Sequence, residues 1–164
     1  MKTFNTAGKC IPSMHYMVDI SQQVEAAAKL VRRGNYFCIN RGRQYGKTTT
    51  LALLKKKLEG EGYAVFSLSF EGLGDSAFKS DESLLYASLQ LMNDIVEWDE
   101  VHNLSDSSKE CLRQSISSED KSMDSLTFNR TVSRMSTSDK IVLLIDEVDA
   151  AGNHIEFIHF LGLL

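Results

Sequence analysis

The rest of this chain is interpreted from residues 41–50, RGRQYGKTTT. They join an apolar, strand-like run to a helix-like run. Gly46 allows the backbone to turn tightly, so that successive N–H groups point into one concavity. A helix that starts near Lys47 adds the positive end of its dipole there. These features predict a phosphate-binding loop, in which Lys47 reaches the β- and γ-phosphates of a triphosphate and the Thr48 hydroxyl binds Mg²⁺.

The match to the phosphate-loop pattern G-x-x-x-x-G-K-[ST] is imperfect. Arg41 stands where that pattern has its first glycine, and Gly42 comes one place late. A plain turn before a basic helix is the alternative on this motif alone. The nucleotide-binding residues that the motif predicts are Gly42, Arg43, Gln44, Tyr45, Gly46, Lys47, Thr48 and Thr49.

Composition sets broad limits on the class of protein. With 164 residues, 43% of them hydrophobic, the chain is long enough for one domain with a real core. Its net charge of −4 argues against a main affinity for nucleic acid or for an anionic membrane. Cys10, Cys38 and Cys111 lack paired spacing and predict reduced, buried thiols. With no signal peptide and no apolar run of membrane-spanning length, the predicted compartment is the cytoplasm.

The order of elements predicts an α/β fold. An N-terminal arm and a helix with Ser21 as N-cap occupy residues 1–34 and end at Gly34. Residues 36–39 form a short apolar run typical of a strand that is buried on both faces. With the helix after Lys47 and a second strand at residues 63–70, they predict a βαβ unit with parallel strands.

A long helical insert, residues 72–138, follows the second predicted strand. We expect a helix from a cap at Asp81 to about Trp98, which we place in the core, and shorter helices at 108–116 and 123–135. Residues 140–146 predict a further strand, and residues 155–164 predict a last helix.

Two acids stand at the carboxyl end of the strand predicted at residues 140–146. Ligands of open α/β sheets gather at that end of parallel strands, so we expect Asp146 to lie near Lys47 in space. Asp146 would hold Mg²⁺, and Glu147 would orient and deprotonate an attacking water. The alternatives are a capping or turn role for Asp146 and a solvent-facing acid at Glu147.

These motifs together resemble the AAA-like P-loop ATPases of bacteria. The closest resemblance is to an uncharacterised group with the segments F-N-T-x-G, H-Y-M-V-D-I-S and R-x-R-Q-Y-G-K-T, found here at residues 4–8, 15–21 and 41–48. The resemblance implies the three-layer sandwich of P-loop NTPases with a mostly parallel sheet, and it makes Arg41 a trait of the group. It also implies ATP and Mg²⁺ as ligands, with Lys47 and Thr48 on the phosphates and metal, Asp146 on the metal and Glu147 as catalytic base.

The resemblance further implies a later strand with a polar sensor residue, which this sequence lacks. We therefore expect an N-terminal fragment whose ATPase core, residues 35–164, is incomplete at the C-terminus. The expected function is Mg-dependent ATP hydrolysis coupled to an unknown conformational task. The expected partners are ATP and an unknown protein, with no membrane partner and no nucleic-acid partner for this segment. The alternatives are a nucleotide-binding switch without useful hydrolysis, a kinase that acts on a small molecule, and an inactive remnant.

Overall fold

The computed structural model describes residues 3, 13–16, 18–40, 46–70, 73–98, 100–117, 121–147 and 152–164. It divides into two compact units, Met1–Glu61 and Gly62–Leu164. The domain division expected from the sequence, 1–34 and 35–164, stays a prediction.

The first unit contains two helices, α1 (Ser21–Arg32) and α2 (Lys47–Gly60). The N-terminus of α1 is fixed by Asp19, whose Oδ1 accepts hydrogen bonds from the Ser21 N–H at 2.9 Å and from the Ser21 hydroxyl at 2.6 Å. Ser21 is thus the first helical residue and not the predicted N-cap. Gly34, with a φ of 68°, follows the end of α1, as expected. The helices pack through small and branched side chains, buried at Val24, Ala27, Ala28, Leu54 and Leu58.

Four charged side chains tie α1 to α2, and we call them the ionic clamp: Glu25, Arg32, Lys57 and Glu61. Arg32 donates two hydrogen bonds to the Glu61 carboxylate, at 2.9 and 2.7 Å, and one to Glu25 at 2.9 Å. Lys57 Nζ lies 2.8 Å from Glu25 and 3.5 Å from Glu61. Lys57 therefore supports helix packing, which argues against reading the lysines of α2 as a patch for an anionic partner.

The second unit contains a parallel pair of strands, β1 (Ala64–Ser69) and β2 (Ile141–Asp146). Ala64 lies opposite Ile141, and Ser69 lies opposite Asp146. Among the described residues, a short 3₁₀ helix and three α-helices lie between the strands, and a further helix follows β2. Their bounds are Asp75–Phe78 for the 3₁₀ helix, Asp81–Glu97 for α3, Asp106–Ser115 for α4, Ser125–Ser138 for α5 and Ile155–Leu163 for α6.

One face of the sheet packs into the core of this unit. Ala64, Phe66 and Leu68 point to this face and join buried side chains of the four α-helices. Phe70, just after β1, contacts two rings of α6 edge-on, with centroids 5.5 Å from Phe157 and 5.7 Å from Phe160. The N-termini of α3, α4 and α5 are capped by side-chain oxygen atoms of Ser80, Ser105 and Asp124, respectively. Each oxygen accepts a hydrogen bond from a first-turn N–H.

The predicted three-layer sandwich of the P-loop NTPases is wrong. Over the described ranges the protein is mostly helical, at 58%, and its sheet has two strands. Residues 36–39 do not form the predicted strand, and Tyr36 is 81% exposed. A strand needs a neighbouring strand that hydrogen-bonds with its N–H and C=O groups. For β1 that neighbour is β2. The parallel β1–β2 pair with its helices fits a small α/β class.

Two smaller expectations also fail. Trp98, expected in the core, follows the last residue of α3 and is 70% exposed. Cys38 is exposed, not buried, because the strand that was to bury it does not form. No helix among the described ranges is long and apolar enough to cross a bilayer.

Candidate phosphate-binding site

Gly46, the one residue of the predicted loop that the structure describes before α2, has a left-handed backbone. Gly46 is the N-cap of α2, with φ 75° and ψ 27°, in the left-handed region that only glycine adopts without strain. Lys47 is the first residue of the helix, and the first turn contains no acidic side chain. A cation and the positive end of a helix dipole therefore lie at one place, which favours an anion.

The three threonines after Lys47 differ in accessibility. Thr48 is exposed, whereas Thr49 and Thr50 are 7% and 2% exposed. The Thr50 hydroxyl donates a hydrogen bond of 2.9 Å to the Gly46 carbonyl and so holds the turn together. Of the three, Thr48 is the one whose side chain is exposed, and its role as a metal ligand stays a prediction. Because the Thr49 side chain is buried, its backbone is the part of the residue that could contact a phosphate.

The remaining loop positions, Gly42, Arg43, Gln44 and Tyr45, lie outside the described residues. Their predicted contacts with nucleotide stay predictions.

Both predicted acids lie at the carboxyl end of β2. Asp146 is the last residue of the strand and is half-buried; its Oδ1 accepts a hydrogen bond of 3.0 Å from the Glu147 N–H. Glu147 is exposed and has a φ of 55°. A residue with a side chain is strained in that conformation, and such strain collects at functional sites. The strand end thus presents one fixed carboxylate and one that faces solvent.

Ser69 is a neighbour of this acidic pair that the sequence analysis missed. It ends β1 directly opposite Asp146, and side chains opposite each other in a parallel pair lie on the same face of the sheet. Ser69 is exposed there, so a hydroxyl stands beside the Asp146 carboxylate. Only the register of β1 on β2 reveals this proximity, because the two residues are far apart in sequence.

The two halves of the predicted site fall in different units. Gly46, Lys47 and Thr48 belong to the first unit, and Asp146 and Glu147 belong to the second. The expected proximity of Lys47 to Asp146 therefore stays a prediction.

Within the described ranges, no three His, Cys, Asp or Glu side chains are grouped to hold a metal ion. The predicted Mg²⁺ site differs from such a group. Thr48 and Asp146 would supply two of its ligands, and phosphate oxygens and water would supply the others. Mg²⁺ commonly keeps such a mixed shell. The residue types at Thr48 and Asp146, both oxygen donors, suit that ion.

Comparison of the chain with protein-family models, curated proteins and solved structures gives no match in any of the three.

Proposed function

We propose that this chain binds Mg-ATP at the Gly46–Lys47 turn and hydrolyses it with the help of Asp146 and Glu147. The observation that carries the proposal is the left-handed Gly46 directly before Lys47, the first residue of α2. This geometry places a cation at a helix N-terminus. A nucleoside triphosphate is the ligand that the neighbouring Thr48 hydroxyl and a carboxylate would suit through Mg²⁺.

The hydrolytic step rests on Glu147. Its carboxylate is exposed at the end of β2, next to the metal-binding candidate Asp146, and can accept a proton from water. Mg²⁺ and Lys47 would stabilise the charge that develops on the transferred phosphoryl group. The strained backbone of Glu147 supports a functional role, since a structural turn could use glycine at that position without cost.

The alternative is ATP binding without useful hydrolysis, as in a nucleotide-gated switch. It is favoured by the division of the candidate residues, because the turn that would bind the phosphates belongs to one compact unit and the proposed base Glu147 belongs to the other. Release of inorganic phosphate by the purified chain separates the two functions: a switch binds ATP and leaves it intact.

Replacing Lys47 tests the binding site. Lys47→Ala removes the cation that would meet the phosphates, and we expect a loss of affinity of roughly tenfold to a hundredfold. Titration with a fluorescent ATP analogue in the presence of Mg²⁺ measures it. Lys56→Ala is the matched control, because Lys56 is an exposed lysine of the same helix outside its first turn. Equal affinity of wild type and Lys47→Ala would remove the turn from the proposal.

Replacing Glu147 tests hydrolysis apart from binding. Glu147→Gln keeps the shape of the side chain but cannot accept a proton from water, so we expect analogue binding to persist and phosphate release to fall by roughly a hundredfold. Glu156→Gln on α6 provides a control for the loss of one negative charge. If Glu147→Gln released phosphate as fast as wild type, the base would have to be sought elsewhere.

A further inference from the structure

Helix α5 carries two positive charges that no ion pair among the described residues neutralises. The helix contains Arg130 and Arg134 and no acidic residue, in a chain whose net charge is −4. Both guanidinium groups are exposed, and neither forms an ion pair in the part of the chain that the structure describes. By contrast, Arg113 on α4 lies 2.8 Å from Glu97.

Two described acids that flank α5, Asp124 and Asp139, already accept hydrogen bonds elsewhere. Asp124 accepts hydrogen bonds from the N–H groups of Leu126 and Thr127, at 2.9 and 3.0 Å, as the N-cap of the helix. At the other end, Asp139 accepts hydrogen bonds from the N–H and hydroxyl of Ser105, at 3.2 and 2.8 Å. These carboxylates stabilise helix ends and leave the two arginines for another anion.

The outward face of α5 is open to solvent around its two arginines. An open groove of about 590 Å³ is lined there by Asn129, Arg130, Ser133 and Arg134. Leu126, which is 58% exposed, lies one turn before Arg130 on the same face, and Arg134 lies one turn after it. The opposite face of the helix is fixed by its buried side chains Phe128, Thr131 and Met135. We call the row Leu126, Arg130 and Arg134 the α5 stripe.

We propose that the α5 stripe docks an acidic helical segment of a partner protein. Helices recognise helices through residues at four-residue spacing, so a segment with one apolar residue and two carboxylates at that spacing would meet Leu126 and both arginines. The planar guanidinium group binds a carboxylate through two parallel hydrogen bonds, and the amide of Asn129 and the hydroxyl of Ser133 add polar contacts at the edge.

A nucleic acid strand fits this surface less well. Proteins that hold a phosphate backbone neutralise many phosphates at once, whereas the α5 stripe offers two cations and one apolar side chain on a chain with net negative charge. An acidic peptide needs only the two charges and uses Leu126 as well.

The test is fluorescence anisotropy of a labelled, alanine-rich helical peptide, with one leucine followed by two glutamates at four-residue spacing, titrated with the full chain. Saturable binding is expected. The double variant R130E/R134E should weaken it by roughly tenfold or more, the effect of losing at least one charge-assisted hydrogen bond. R33E/K56E makes the same change of charge at exposed positions of the first unit and should bind the peptide nearly as wild type does.

Three results would overturn the proposal: no binding by wild type, equal losses in R130E/R134E and R33E/K56E, or binding of an oligothymidine that depends on Arg130 and Arg134 while the peptide does not bind. A peptide with glutamine in place of both glutamates keeps the test valid if R130E/R134E does not fold, because wild type should bind it at least roughly tenfold more weakly. No nucleotide is present in these titrations, so their outcome is independent of the proposed ATP site.

Discussion

The two units of this protein are stabilised by different forces. In the second unit, buried aromatic and aliphatic side chains from β1 and four described helices form one continuous core, against which partly buried side chains of β2 pack. Its largest members include Phe66, Phe70, Phe128 and Phe160, each no more than 2% exposed. Burial of apolar surface on this scale depends little on salt or on pH.

Few large apolar side chains are buried among the residues of the first unit that the structure describes. The contact between α1 and α2 buries alanines, one valine and two leucines, and the ionic clamp adds hydrogen bonds and ion pairs to it. Charges at the surface are screened by salt and respond to acid. The proposed ATP-binding turn therefore lies in the unit whose stability should depend more on solution conditions, whereas the acids at β2 lie in the unit with the apolar core.

The largest expected effect comes from the core of the second unit. Phe70→Ala removes a ring that contacts both Phe157 and Phe160 and leaves a cavity, which should lower the free energy of unfolding by about 3–5 kcal/mol. Chemical denaturation followed by circular dichroism measures the loss. Trp98→Ala, at a 70% exposed side chain, is the control and should cost far less. A similar loss at both positions would mean that the apolar core does not dominate this unit.

A smaller effect is expected at the turn of the first unit. An alanine Cβ at position 46 would have no atom within 4 Å, so the cost of Gly46→Ala is the left-handed backbone alone, about 1 kcal/mol. Gly60→Ala is a matched control, because position 60 is helical and equally open. Alanine favours a helix there, so Gly60→Ala should stabilise the unit. Denaturation curves of the two variants should thus shift in opposite directions; a shift in the same direction would contradict the conformation assigned to Gly46.

The elements that the sequence predicted well are those with local signals. The periodic apolar residues of α3 and the polar residues before α4 and α5 mark helices that the structure confirms to within a few positions. The differences lie at the caps: Ser80 caps α3 in place of Asp81, since the Ser83 N–H reaches its hydroxyl at 3.2 Å. Capping and periodicity act over a few residues, so a single sequence contains them.

Two apolar runs that are alike in sequence show where local signals fail. Residues 36–39 and 141–145 both predict buried strands, yet only the second run becomes one, as part of β2. Its partner β1 offers six positions in register. Pairing between distant segments decides whether an apolar run becomes a strand, and no property of the run alone contains that information.

The candidate site also has one part that follows from local sequence signals and another that depends on contacts between distant segments. The turn at Gly46 and Lys47 follows from glycine and from helix start signals, and the structure places it as expected. The nearness of Ser69 to Asp146 depends on strand register and could not be predicted. The approach of Lys47 to Asp146 is the remaining long-range prediction, and paired cysteines at positions 48 and 146, cross-linked by reagents of increasing length, would measure it directly.

The smallest expected effect is a loss of stability at low pH in the first unit. Hydrogen bonds from Arg32 and then Lys57 lower the pKa of Glu25 to about 2, from an ordinary value of 4.5. A carboxylate with a lowered pKa in the folded state stabilises that state fully above its ordinary pKa, and this contribution is lost as the pH falls from about 4.5 towards 2. The clamp should therefore weaken in that interval and, by screening, in concentrated salt.

Glu25→Gln removes this titration, so wild type should lose more stability than the variant between pH 4.5 and 2, and the two should converge at the acid end. Hydrogen exchange measured by mass spectrometry locates the change, with faster exchange expected in peptides from α1 and α2 and little change in those from β1 and α6. Glu156→Gln in the second unit controls for the loss of a carboxylate. Parallel pH curves for wild type and Glu25→Gln would show that Glu25 adds nothing to stability, and the contacts of Arg32 and Lys57 with Glu61 would then be the part of the clamp left to act.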